Sequence, residues 1–262
     1  MSQDIDAAMK GWQFKPGVVQ ARLVQAGDGR QVIQMRVDLG ILQIETKDRP
    51  DGTRPHSFAT FFDSLRQQSR AAAKAGNPFV LSEEQCLEAD REFVQFYHRR
   101  ICWLALRQFD RAVADADHTL AFMDFVRDHS PNEEFTQTHE QYRGFVLFQR
   151  TQAAAAQAVE KDEPEQAIDE ILSGLEKIRA FFVAYNLEEQ LEENPMVKQL
   201  HKMEQSLRQT HGIEATLQER LQQAVANEEY EVAAELRDAL RKRQAAQDWD
   251  PLTPDAGPGQ NV

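Results

Sequence analysis

The sequence predicts a mainly α-helical protein: a helical bundle with a small amino-terminal β-hairpin element before it and a helical hairpin after it. Three observations carry this. From Ser82 onward apolar residues recur at three and four positions, the spacing of one helix face. Upstream, short β-rich runs flank Asp28-Gly29, a pair suited to a tight hairpin turn. Near the end, two amphipathic stretches are joined by Asn227-Glu228-Glu229, a connection short enough to make them antiparallel neighbours. The expected divisions are a β element at 1–65, a helical bundle at 80–190, a helix plus hairpin at 195–244 with its motif at 213–243, and a disordered tail at 248–262.

In the β element, Val18 to Val24 and Gln31 to Val37 read as two strands, and Ile41, Leu42 and Ile44 as a third after a break at Gly40. Three short strands do not stand alone, so they should lean on helices. The loop Arg49-Pro50-Asp51-Gly52-Thr53-Arg54-Pro55 reads as a solvated turn. Its forked arginine donors offer an alternative, the holding of an anion or carboxylate.

Ser82, followed by Glu83, Glu84 and Gln85, reads as the N-cap of a long helix carrying Phe93, Phe96, Tyr97, Ile101 and Leu104 on one stripe. Leu106 to Leu120, with Phe109 and Ala112 after a polar turn, resembles the second half of a tetratricopeptide repeat. A second copy follows at Lys161 to Leu175, where Pro164 stands in place of the aromatic. The resemblance implies two TPR-like hairpins. Their spacing exceeds the family's period of about 34 residues, and His129 to Glu134 is expected to supply the excess as a turn or short excursion. Pro195 opens a further helix through Met196, Leu200, Met203 and Leu207, which should end at Gly212.

In the last hairpin, Leu217, Leu221, Ala224 and Val225 form one apolar stripe, and Tyr230, Ala233, Leu236 and Leu240 form the other. With Ala234, Arg237 and Asp238 at fixed spacing, this segment resembles the UVR motif, found in excision-repair helicase and nuclease subunits and in Clp-chaperone adaptors. The same residues also suit a further repeat like the two upstream. The UVR resemblance implies docking against a partner hairpin of the same kind, with Tyr230, Ala233 and Leu236 packing and Arg237 and Asp238 pairing with nearby charges. The candidate partner-binding set is Leu217, Leu221, Tyr230, Ala233, Ala234, Leu236, Arg237, Asp238 and Leu240. A segment this short buries too little surface to fold unaided, so it must be covered by upstream helices or by a partner.

Composition limits the function classes. A formal net charge of -13, with no basic run interleaved with aromatics, argues against direct nucleic-acid binding. Cys86 and Cys102 lack metal-ligand spacing and read as small buried hydrophobes. Met1 to Trp12 has no apolar leader core, and no apolar run is long enough for a membrane helix, so a cytoplasmic protein without membrane association is expected. No cofactor is expected, and no nucleophile-elbow, phosphate-loop or dinucleotide pattern occurs.

The leading expectation is a non-enzymatic adaptor that recruits a protein, or a second copy of itself, through the hairpin. One alternative is an accessory factor of nucleotide-excision repair that reaches DNA only through other proteins. Another is a divalent-metal enzyme using Asp117, Asp124 and Asp128, with His118 and His129 beside them, because carboxylates sharing a helix face with histidine suit a metal.

Overall fold

A computed structural model describes residues 4–247, with side chains through residue 243. The expected tail at 248–262 lies outside the described residues. After a one-turn helix α1 (Asp6–Met9), β1 (Gln20–Gln25), β2 (Gln31–Val37) and β3 (Gly40–Glu45) form an antiparallel sheet in the order β1-β2-β3. Gly29 in the first turn takes φ 88°, the left-handed conformation that selects glycine there. Gly40 does not break the chain as expected. It pairs with Val37 across a two-residue turn at Asp38-Leu39.

Leu23, Ile33 and Ile44 share one cross-strand row, and this face packs on Cys102, Trp103, Ala112 and Ala153 of the helices. The sheet therefore leans on the bundle, as three strands must.

The helices are α2 (Phe61–Lys74), α3 (Glu83–Ala105), α4 (Phe109–His129), α5 (Glu133–Glu140), α6 (Arg143–Glu160), α7 (Pro164–Ala184), α8 (Pro195–His211), α9 (Leu217–Ala226) and α10 (Tyr230–Gln247). In succession α3 packs on α4, α4 on α6, α6 on α7 and α7 on α8. One core joins Ala155, Ala167, Ile171, Ile178 and Leu200, and another joins Phe61, Leu65, Ala89 and Phe122. No helix of the described residues is long and apolar enough to cross a membrane.

One helix departs from the expected divisions. α2 crosses the boundary at residue 65 and belongs to the bundle; its buried residues are confined to its first turns, so it shows no long apolar period. The turn expected around His129 to Glu134 stands at residues 130–132 between α4 and the short helix α5, which the Asn132 side chain starts by accepting a hydrogen bond from the Phe135 N–H at 2.9 Å.

The buried side of α3 is also not the apolar stripe expected. Phe96 is buried, but Phe93 and Leu104 are only partly so, and Tyr97 is exposed, while Glu92, Arg99 and Arg100 lie inside. Ion pairing makes this tolerable for two of them. The Glu92 carboxylate accepts from the N–H groups of Phe61 (2.7 Å) and Phe62 (3.0 Å), the open first turn of α2, and lies 3.2 Å from Arg49 Nε. Arg99 holds Asp115 through two hydrogen bonds, at 2.9 and 2.7 Å, and donates to the Asp48 carbonyl at 2.8 Å.

Three helix pairs turn in the same way. In the connections after α3, α6 and α9, the middle residue is left-handed: Arg107, Asp162 and Glu228, with φ 57°, 60° and 61°. The following N–H closes back on the helix just ended, from Gln108 to Trp103, Glu163 to Ala158 and Glu229 to Ala224. Three residues into each second helix stands a buried alanine, Ala112, Ala167 or Ala233, where the two helices approach.

Candidate functional site

The hairpin α9–α10 begins with a buried cap. The Thr216 hydroxyl accepts from the Glu219 N–H and the Glu219 carboxylate accepts from the Thr216 N–H, a reciprocal box that satisfies two open donors. Thr216 Oγ1 also donates to Asp169 Oδ1 of α7 at 2.6 Å. Arg208 of α8 reaches Glu219 at 2.7 Å, and Arg243 of α10 reaches Glu165 at 3.0 Å and Asp169 at 3.2 Å. Partial burial would raise the Glu219 pKa, but the hydrogen bonds from Arg208 and the Thr216 N–H hold it below the usual carboxylate range.

Inside the hairpin, Ala224, Ala233 and Leu236 form a small core with Leu217 and Leu221 against it, and Leu240 is buried further along. Four of the nine candidate residues (Leu217, Leu221, Ala233 and Leu236) therefore serve the hairpin's own interior. Ala234 is half-buried. Tyr230 departs from the expected stripe and is 70 % exposed. As the first residue of α10 it falls in line with Ala234, Arg237 and Arg241, the flank next to the buried 233/236/240 line.

Val225, expected in the α9 stripe, is 55 % exposed, and Val232 also faces outward. Asp238 lies 4.0 Å from Arg241 on its own helix, whereas Arg220 and Arg237 make no ion pair among the described residues. The outer surface of the hairpin thus combines apolar side chains with uncommitted guanidinium groups.

The alternative carboxylate face is built differently from a metal centre. Asp117 lies 2.5 Å from Arg150 Nε, Asp124 2.9 Å from Arg143 and 3.3 Å from Arg127, and Asp128 3.4 Å from Arg127. Each carboxylate is already answered by a guanidinium. The two histidines point elsewhere: His118 stacks on Phe96 and meets Glu92 at 3.3 Å, and His129 bridges Ser69 and the Phe79 carbonyl. Asp117 and Asp124 line a cavity of about 670 Å³ together with Arg127, Arg143, Arg150 and Lys177, which gives it mixed charge.

The Arg49 loop corrects its solvated-turn reading in part. Arg54 is exposed, but Arg49 is buried and lies 2.5 Å from Glu88 and 3.2 Å from Glu92, so the carboxylates it holds are the chain's own. Sequence reasoning missed Arg100 entirely, because a lone arginine on a helix is ordinarily taken as surface. Comparison with protein-family models, with curated proteins and with solved structures found no significant match.

Proposed function

We propose that the chain is a non-enzymatic adaptor that docks a helical hairpin of another protein on the outer flank of α9–α10. The observation that carries the reading is Tyr230, a large amphipathic side chain 70 % exposed on α10, with the unpaired Arg237 two turns further along the same line. Tyrosine and arginine are the residue types that most often dominate binding energy when a partner covers them. The resemblance of residues 217 to 238 to the UVR motif supports a hairpin as the occupant, since hairpins of that family dock on one another. Seven acidic and five basic residues between positions 213 and 243 favour a mixed-charge protein surface over a phosphate backbone.

The buried leucines set the hairpin's shape, and the exposed flank makes the contact. The shared left-handed turn of α3–α4, α6–α7 and α9–α10 supports reading the bundle as TPR-like and the last hairpin as an adapted copy of it. Full-length chain immobilised on a sensor should bind its partner at least about tenfold more tightly than Tyr230→Glu and Val225→Glu, whose thermal unfolding should be unchanged because both sites are exposed. Equal affinity for all three proteins refutes this assignment.

A further inference from the structure

A second cavity, of about 790 Å³, opens between α3, α4, α5 and α6. Phe93, Met123 and Phe135 form its walls, and Tyr97, Tyr142 and Phe145 stand exposed at its rim. Arg100 lines it as well, although the side chain is only 2 % exposed. Its Nε donates to Gln149 Oε1 at 2.9 Å and its Nη1 to Thr119 Oγ1 at 3.0 Å, both neutral acceptors.

Every other buried arginine, aspartate and glutamate among the described residues has an opposite charge in contact: Arg49 with Glu92, Arg99 with Asp115, and Glu140 with Arg143. Asp115, the acid nearest in influence to Arg100, is already gripped at both oxygens by Arg99. Arg100 makes no ion pair with any described residue. Desolvation lowers its pKa to about 10, which still leaves the guanidinium charged at neutral pH.

An unanswered buried cation is costly to a fold, and an anion reaching it would meet little screening. The guanidinium fork matches a carboxylate, and the cavity has the volume and apolar walls of small-molecule sites. Asp90 at the rim, 3.0 Å from His139 Nε2, disfavours a ligand with a second negative charge. We propose that this cavity binds a monocarboxylate with an apolar body, its head on Arg100 and its tail between the aromatic walls.

The test is calorimetric titration of the full chain with decanoate, decanol and decyl phosphate, each below its micellar concentration. Decanoate should bind at least about tenfold tighter than either of the others, the scale of one charge-assisted hydrogen-bonded contact. Arg100→Met keeps an apolar stem of similar length and should lose that preference while still binding decanol. Should that variant fail to fold, Phe145→Ala at the rim should weaken decanoate and decanol alike. Equal binding of decanoate and decanol to the unaltered chain, tighter binding of decyl phosphate, or no binding of decanoate would each overturn the proposal. So would capture of an apolar peptide with a free carboxyl terminus in the absence of decanoate binding.

Discussion

Gly174→Ala should destabilise the protein, although alanine is the better helix former by about 1 kcal/mol. Gly174 lies at the seam of α7 with α6, where an added Cβ would sit 2.0 Å from Thr151 Oγ1, 2.4 Å from Cγ2 and 2.7 Å from Cβ. Rotating Thr151 cannot relieve the last of these, because its Cβ moves only with the backbone. Its hydroxyl is also tied to the Leu147 carbonyl at 2.8 Å.

The helices must part by about 1 Å to reach ordinary contact, loosening the core of Ala155, Ala167, Ile171 and Ile178. Overpacking of this kind costs up to about 3 kcal/mol, so the net loss should be about 2 kcal/mol once propensity is credited. In thermal unfolding that is a fall in Tm of about 6 °C for a chain of this size. Thr151→Ala should rescue only partly, since its Cβ remains, and Thr151→Gly should show the larger coupling in a double-mutant cycle. A Gly174→Ala protein more stable than the parent would refute the close approach.

Further predictions follow from the buried charges, the cap and the histidines. Glu92→Ala leaves Arg49 short of one partner and opens the first turn of α2, so urea unfolding should show a loss of about 4 kcal/mol, with Glu92→Gln intermediate; stability within about 1 kcal/mol of the parent for both would contradict the network. Thr216→Val removes both the cap of α9 and its tie to Asp169, and hydrogen exchange should quicken across residues 217–243 while α3, α4, α6 and α7 stay protected. Burial pushes His98 and His139 below the ordinary imidazole range, against the pull of Asp90 in the second case. The unfolded chain then takes up protons first as pH falls, so stability should drop below about pH 6.5, and a His139→Gln protein should show a shallower drop.

Local signals in the sequence were legible where one residue type does one job. Ser82, Pro195 and Gly212 each occupy the helix-end position that their chemistry suits, and Asp28-Gly29 turns the first strand pair. Features that depend on distant partners were not legible. Glu92, Arg99 and Arg100 gave no signal in the sequence, because periodicity cannot see Phe61, Asp115 or Gln149 arriving from elsewhere in the chain.

The candidate interface was legible as a segment more than as a surface. Residues 233, 236 and 240 occupy the inner line as their spacing requires, but the position of Tyr230 at the very start of α10 turns it onto the neighbouring line, outside the hairpin core. Spacing alone assigned Tyr230 and Ala233 to one stripe, because a three-residue step leaves the two on adjoining faces and only the packing decides between them.

The docking claim is tested most directly by site-specific photo-cross-linking, with benzoylphenylalanine at position 230 and, as a control, at the 93 % exposed Leu39 of the sheet. Position 230 should yield a discrete adduct in cell extract whose cross-linked peptide belongs to a helical hairpin of another protein, while position 39 should not. Absence of any position-230 adduct, or identical adducts from both positions, would contradict the account.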